Sequence, residues 1–224
     1  MFLMRMRNKP WAGPELALCP YFIKQPDQQK GRWRSLFPRP EQPVWLELGM
    51  GKGRFLCQAA LAHPEKNLLG VDLITSILGV ARRTIAGAFE EAGRPVENLL
   101  FTAHDIERIL LMMEPADQVE RIYINFCNPW PTGSHHKKRL THPRQLEKYK
   151  TFLPVGGQIH FKTDDDTLFD QSCRYFTDSG FALEAVARDL HRSPFGEESW
   201  ETEHEAMFSK EGIPTKFLIA VRTD

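Results

Sequence analysis

VWLELGMGKGRFL, residues 44–56, is the segment from which the architecture of this chain can be inferred. Residues 44–48 are apolar and β-prone, which predicts a buried strand. Gly49, Gly51 and Gly53 follow in a GxGxG pattern, which predicts a turn whose backbone can approach a ligand closely. A helix is expected to begin at Arg54. The pattern alone is also typical of NAD-binding domains, so it predicts a fold class and not yet a ligand.

Strands and helices alternate along the rest of the chain, which predicts a parallel sheet with right-handed crossovers. The last two strands are instead joined by a long insertion, which predicts an antiparallel last strand. We therefore expect an α/β domain over residues 44–224, with a seven-stranded, mostly parallel sheet and helices on both faces. Strands are predicted at 44–48, 67–72, 98–103, 121–126, 158–163, 181–187 and 216–221, and helices at 54–61, 74–92, 106–113, 143–150 and 167–179.

Residues 1–43 have little periodicity and are interpreted as a basic, aromatic N-terminal arm. Residues 1–39 hold eight Lys and Arg against two acids, whereas residues 164–211 hold thirteen acids against four Lys and Arg. The formal net charge is zero, but this asymmetry could still create a positive face that attracts an anionic partner. The aromatic residues of the arm could stack on nucleic-acid bases or pack on the domain, and the sequence leaves both alternatives open.

The sequence also indicates where the protein works. Arginines interrupt the apolar N-terminus, so we expect no signal peptide, and no apolar run is long enough to span a membrane. The four cysteines form no CxxC pair and have no histidine at zinc spacing. We therefore expect a cytoplasmic protein with reduced thiols, no membrane contact and no metal.

Acidic residues occur at the ends of three predicted strands. Glu47 lies just before the glycine turn, Asp72 closes the second strand, and Asp105 follows the third. A carboxylate at Glu47 would repel a pyrophosphate but suits a cationic amino-acid group. Asp72 suits the hydroxyl groups of a ribose, and Asp105 suits an adenine amino group. S-adenosylmethionine carries all three groups, so it is the predicted cofactor.

The segment RIYINFCNPWPTGSHHKKR, residues 121–139, contains the second candidate site. Its strand must end at Asn128-Pro129-Trp130-Pro131 because proline lacks an N–H and fixes φ. A loop with a basic cluster follows, and we expect Lys137, Lys138 and Arg139 to contact phosphates. Ligands bind outside the carboxyl ends of strands in such sheets, so this site is suited to a polyanion that carries a planar base.

These motifs together resemble one family. LELGMGKGRFL (46–56), GVDL (70–73), NFCNPWP (125–131), HHKKRL (135–140), IHFKTDD (159–165) and TEHE (202–205) resemble, in order, the bacterial tRNA (guanine-N7-)-methyltransferases. The resemblance covers about residues 44–222. It implies a Rossmann-like class I methyltransferase that transfers a methyl group from S-adenosylmethionine to N7 of the variable-loop guanine of tRNA. By resemblance, the cofactor side contains Glu47, Gly49, Gly51, Asp72, Asp105 and Asn128, and the tRNA side contains Thr132, Asp164, Thr202, Glu203, His204 and Glu205.

This chain departs from the family pattern at two positions. Asn128 stands where the family usually has an aspartate that is assigned as catalytic, and Thr132 stands where a lysine is usual. Guanine N7 carries no proton, so its methylation needs no general base. We therefore expect Asn128 to orient the guanine, while Asp164 or Glu205 supplies negative charge near the cationic product.

Two other functions stay open at this point. The NPWP motif could instead serve a methyltransferase that acts on another RNA or on an amine. Alternatively, Asn128 could mark a noncatalytic tRNA-binding homologue, although the three intact acids argue against a decayed site. The sequence is equally compatible with a monomer and a homodimer.

Overall fold

The computed structural model describes residues 9–196, 200 and 202–224 of the chain. Its regular elements alternate as the sequence predicts, and 3-10 helices connect several of them. In chain order the elements are α1 (Ala12–Ala17), β1 (Phe22–Ile23), β2 (Val44–Leu48), α2 (Arg54–Ala62), β3 (Asn67–Asp72), α3 (Thr75–Glu91), β4 (Leu99–Ala103), β5 (Val119–Asn125), α4 (Pro143–Lys150), β6 (Gln158–Thr163), α5 (Asp166–Asp178), β7 (Phe181–Ala187), α6 (Glu203–Lys210) and β8 (Lys216–Arg222).

The strands form one sheet in the order β1-β4-β3-β2-β5-β6-β8-β7. The β8 strand pairs antiparallel with both of its neighbours, and the other pairs are parallel. The predicted mostly parallel sheet with an antiparallel last strand is thus confirmed, although the described part of the chain contributes eight strands to it instead of seven. The extra strand, β1, has two residues, which is too short to show a periodicity in the sequence.

Helices cover both faces of the sheet because alternate strand residues point to opposite sides. On one face, Leu46, Ile122 and Phe161 belong to a buried cluster with residues of α4 and α5. On the other face, Trp45 and Tyr123 belong to a buried cluster with residues of α1, α2 and α3. The chain reverses its winding direction between β2 and β5, and this switch point is where open α/β sheets bind ligands.

Part of the N-terminal segment packs on the domain. The Trp33 side chain is fully buried, and its Nε1 donates to the Met112 carbonyl at 2.7 Å. Asp117 accepts hydrogen bonds from the backbone N–H groups of Gly31 and Trp33. The structure therefore favours packing of Trp33 on the domain over stacking of its ring on nucleic acid.

The long connection between β7 and β8 carries α6 back to the carboxyl ends of the parallel strands. Its N-terminal residues meet the glycine turn after β2 and the residues that follow β5. Within the described residues, we find no helix with the length and apolar character needed to cross a membrane.

Candidate functional site

The glycine turn lies between β2 and α2. Gly49 and Gly51 have φ values of 84° and 53°, in the left-handed region that other residues rarely adopt. The Gly49 N–H donates to the Val71 carbonyl at 2.8 Å, and the Gly51 N–H donates to Asp72 Oδ2 at 2.9 Å. A Cβ atom added at either glycine would meet no described atom within 4 Å beyond its chain neighbours. The turn is thus fastened to β3 on one side and open on the other, as close approach of a ligand requires.

Glu47 lies on β2 just before this turn and is only 2% exposed. Its Oε1 accepts from Asn125 Nδ2 at 3.1 Å, whereas Oε2 is buried without a hydrogen-bond partner among the described residues. Burial raises the pKa of Glu47 to about 8, and the nearby Asp72 adds to this, against the hydrogen bond from Asn125 and the charge of Lys162. A buried, unpartnered carboxylate oxygen is unfavourable by itself, so this atom fits a cationic group of a ligand.

The other two predicted acids lie at the ends of the neighbouring strands. Asp72 closes β3, and its Oδ1 accepts from the Ile74 N–H at 3.2 Å. Asp105 follows β4, and its Oδ1 accepts from the Glu107 N–H at 2.9 Å, at the start of a 3-10 helix. Because β2, β3 and β4 are adjacent, the structure brings the three acids to one edge of the sheet.

An apolar surface beside Asp72 was not predicted from the sequence. Leu73 is 63% exposed and Ile74 is 48% exposed. Large apolar side chains next to a strand-end acid could cover the face of a ribose or a base. The sequence signal is the GVDLI run, in which two apolar residues follow the acid that closes the predicted strand.

The Asn-Pro-Trp-Pro segment forms a strained turn after β5. Phe126 and Trp130 have φ values of 51° and 41°, and bulky residues adopt such values only when the surrounding structure enforces them. Asn128 lies between them, and its Oδ1 accepts from the Trp130 N–H at 3.0 Å. The amide therefore shapes the turn in which it is placed, and its second lone pair can accept from a ligand.

The basic loop after this turn contains two kinds of cation. Lys137 is exposed, and Lys138 Nζ lies 4.9 Å from the centroid of the Trp130 ring. Arg139 is only 1% exposed. Its guanidinium donates to the carbonyls of Pro129 and Trp130 and to Gln171 Oε1. Arg139 was predicted to contact phosphate, but in this structure its charge is buried and holds the Asn-Pro-Trp-Pro turn.

The Thr202–Glu205 segment begins α6 with a capping box, as its sequence suggests. Thr202 Oγ1 accepts from the Glu205 N–H at 3.0 Å, and Glu205 Oε2 accepts from the Thr202 N–H at 3.3 Å. Glu203 Oε2 lies 2.7 Å from Lys52 Nζ of the glycine turn, and the His204 ring stacks on Phe126 with centroids 6.0 Å apart. Residues distant in sequence thus meet the glycine turn and the end of β5.

Glu205 itself does not face this opening. It is fully buried, and Oε2 lies 2.9 Å from Lys162 Nζ in an ion pair. The prediction that Glu205 contacts tRNA or supplies charge to the product is therefore replaced by an internal role. Thr202 is also buried, at 7% exposure, and acts as the helix cap.

Asp164 directly follows β6 and is partly exposed. Its carbonyl accepts from Lys216 Nζ at 2.8 Å, which fixes its backbone. Lys52, Asn125 and Lys162 also lie in this region and were not predicted from the sequence as site residues. Asn125 and Lys162 could have been noticed as polar residues near the ends of apolar strands.

Within the described ranges, no group of three His, Cys, Asp or Glu residues could hold a metal ion.

A doubly wound sheet, a glycine turn, strand-end acids and an Asn-Pro-Trp-Pro turn at the switch point define a methyltransferase of the α/β class. A family model described as "Putative methyltransferase" matches residues 41–218. The solved structure of the 16S rRNA methyltransferase KamB has the same fold, with a TM-score of 0.59 at 15% identity over 99% of this chain and 97% of that chain.

More similar relatives identify the family within this class. The tRNA (guanine-N(7)-)-methyltransferase of Clostridium perfringens is 49% identical, over 97% of this chain and 99% of the relative. The protein of that name from Ruminiclostridium cellulolyticum is also 49% identical, over 97% of this chain and 92% of the relative. The chain therefore belongs to the tRNA (guanine-N7-)-methyltransferase family.

Proposed function

We propose that this protein transfers a methyl group from S-adenosylmethionine to N7 of guanine 46, in the variable loop of tRNA. The observation that carries the reaction is the 49% identity, over nearly the whole chain, to proteins named for it. The arrangement of residues in the candidate site supports the proposal, as follows.

Residues around the glycine turn would hold S-adenosylmethionine, which supplies a methyl group on a positively charged sulfur when it is bound. The unpartnered Oε2 of Glu47 supports an ammonium contact at this position. The open space in front of Gly49 and Gly51 supports close approach of the amino-acid part. Asp72 would accept from the ribose hydroxyls, and Asp105 would accept from the adenine amino group.

Asn128 would orient the guanine. N7 is a lone-pair acceptor with no proton to lose, so the protein has to hold it in line with the methyl group instead of deprotonating it. The Asn128 carbonyl can accept from guanine N1–H or N2–H. Asp164 would place negative charge near the purine as it becomes cationic.

The basic loop and the start of α6 would face tRNA. Thr132 and Lys137 are exposed, and Lys138 lies over Trp130, so both lysines can reach phosphates. Glu203 and His204 line the opening beside Phe126 and the glycine turn. Thr202 and Glu205 contribute by fixing the geometry of α6.

The decisive experiment is methyl transfer to unmodified tRNA transcripts with labelled S-adenosylmethionine, followed by nucleoside analysis. We expect 7-methylguanosine in a transcript with guanine at position 46 and no product in the matched transcript with adenine there. A methyl group at another base, or no transfer to either transcript, would overturn the proposal.

A further inference from the structure

Lys162 forms a buried ion pair with Glu205. It is the penultimate residue of β6 and is 3% exposed. Its Nζ lies 2.9 Å from Glu205 Oε2 and donates to the Trp200 carbonyl at 3.1 Å. Separating two such charges inside a protein is strongly unfavourable. The pair therefore restricts α6 to positions in which Glu205 reaches β6.

The other described charged contacts of α6 involve more exposed side chains. Lys52 and Glu203 are each 39% exposed, and ion pairs of that kind contribute little by themselves. Glu205 Oε1 also lies 3.2 Å from Nε2 of the partly exposed His191. Among these charged contacts, the pair of Lys162 and Glu205 is the one shielded from water.

The position of α6 affects the candidate site through its first turn. The His204 ring lies nearly parallel to that of Phe126, at an interplanar angle of 19°. Phe126 has its strained φ of 51° two residues before Asn128. A shift of α6 would thus remove a support of the turn that carries Asn128.

We infer that Lys162 is a positioning residue: through Glu205 and the Trp200 carbonyl it fixes α6, which in turn holds Glu203 at the glycine turn and His204 against Phe126. This inference rests on the proposed function, because the geometry that Lys162 maintains is that of the guanine site. Glu205 has the same positioning role, which accounts for its burial within the TEHE motif.

Two other effects of Lys162 must be separated from positioning. It could stabilise the whole fold, or it could act on the cofactor side, because its charge also influences Glu47. Glu205→Gln breaks the same ion pair while leaving Lys162 in place, and an amide oxygen can still accept from the Thr202 N–H. Asp117→Asn is a matched control, because Asp117 is 1% exposed and lies at the amino end of β5, away from α6.

The experiment compares wild type, Lys162→Met, Lys162→Arg, Glu205→Gln, the double variant Lys162→Met/Glu205→Gln, and Asp117→Asn. Hydrogen exchange of the backbone amides in α6 measures its fixation without reference to activity. Single-turnover methyl transfer at saturating S-adenosylmethionine then measures the effect on the reaction. Thermal unfolding of each variant supplies the correction for global stability.

We expect Lys162→Met and Glu205→Gln each to speed hydrogen exchange in α6 at least about tenfold. Each should also slow methyl transfer by roughly tenfold to a hundredfold, because the reacting groups are then misplaced. The double variant should be little worse than either single one, because both break one unit. Lys162→Arg should recover part of the rate, and Asp117→Asn should speed exchange in α6 no more than its loss of global stability predicts.

Unchanged exchange in α6 would overturn the inference, and so would faster exchange with an undiminished transfer rate. Additive losses in the double variant would also overturn it, because they would mean that Lys162 acts apart from Glu205. If wild type transfers no methyl group to tRNA, the proposed function fails, and the exchange data still decide whether Lys162 fixes α6.

Discussion

At the scale of single residues, Glu47 is the group whose ionisation should govern binding of the cofactor. In the free protein, burial raises its pKa to about 8, so the carboxyl is mostly protonated at neutral pH. A bound ammonium group favours the ionised carboxylate and lowers this pKa. Binding therefore releases a proton, and affinity should increase as the pH rises toward about 8.

We expect the affinity for S-adenosylmethionine to increase up to about tenfold per pH unit between about pH 6 and pH 7.5. Glu47→Gln should bind more weakly and lose most of this dependence, because its amide does not titrate. Calorimetry in buffers of different ionisation enthalpy would measure both the affinity and the released proton. Asp105→Asn is the control and should keep the dependence; a wild type with flat affinity would exclude the ammonium contact.

The same titration has a consequence for folding. A carboxyl group with a raised pKa in the folded state binds its proton more tightly there than in the unfolded chain. Between the unfolded value near 4.3 and about 8, Glu47 therefore makes the folded protein less stable as the pH rises. Glu47→Gln should remove this contribution, and a bound ammonium group should offset it.

Asn128 should affect the rate by orientation and not by proton transfer. We expect Asn128→Ala to slow single-turnover transfer on the order of a hundredfold, because one orienting contact is lost. Asn128→Asp should keep or raise the rate, since a carboxylate accepts the same hydrogen bonds and favours a cationic product. It can also accept from the Trp130 N–H, as Oδ1 of Asn128 does.

Measurements across pH 6 to pH 9 at saturating cofactor would test this assignment. The pH profile of the wild-type rate should show no ionisation that is absent from the profile of Asn128→Ala, because an amide does not titrate. An Ala variant as fast as wild type would exclude an orienting role. A folded Asp variant that binds both ligands but is inactive would show that this site depends on the amide.

At the scale of elements, the loop after the Asn-Pro-Trp-Pro turn divides its cations between two functions. Lys137→Ala/Lys138→Ala should weaken tRNA binding and flatten the plot of log affinity against log salt by about two units of slope. Cofactor affinity should hardly change. An unaltered slope would mean that the two lysines form only a solvated surface.

Arg139→Ala should behave differently from the lysine variants. The change leaves the carbonyls of Pro129 and Trp130 without their donor, which costs on the order of 1–3 kcal/mol for each buried group. We therefore expect a lower melting temperature and a distorted turn at Asn128. The salt dependence of the remaining tRNA binding should stay close to that of wild type.

Regular elements were predicted well from the sequence where their patterns were strong. The bounds of β2, β3, α4, β6 and β7 were predicted without error, and those of α2, α3, β4, β5, α5 and β8 lie within two residues of the prediction, whereas α1, β1 and α6 had no predicted bounds. The helix predicted at 106–113 is a 3-10 helix, Ile106–Leu111, because Arg108 leaves helical geometry at φ −109°. Local periodicity could not reveal β1, because its pairing with β4 depends on contacts far apart in the chain.

The candidate site was predictable in outline and not in the direction of its side chains. The three strand-end acids follow from strand order, because adjacent parallel strands end at one edge. The burial of Arg139 and Glu205 depends on Gln171 and Lys162, which are more than thirty residues away from their partners. A motif specifies which residue types are present, but only tertiary packing decides whether a charge faces solvent or the core.

At the scale of the whole molecule, the N-terminal segment and the domain should unfold together. Trp33 is fully buried and donates to the Met112 carbonyl, so Trp33→Ala leaves a large cavity and an unsatisfied acceptor. We expect the free energy of unfolding to fall by about 3–5 kcal/mol. The slope of the free energy of unfolding against denaturant concentration should not change, because the same surface is exposed on unfolding.

Urea unfolding followed by tryptophan fluorescence and by far-UV circular dichroism would test this coupling. Trp11→Ala is the matched control, because Trp11 is only half-buried under Arg83, whose guanidinium carbon lies 3.6 Å from the ring centroid, and we expect a clearly smaller loss. At temperatures well below unfolding, both variants should transfer methyl groups as fast as wild type per folded molecule. A separate early transition in either probe would mean that the segment is an independent arm, and its aromatic residues would then be available to a partner.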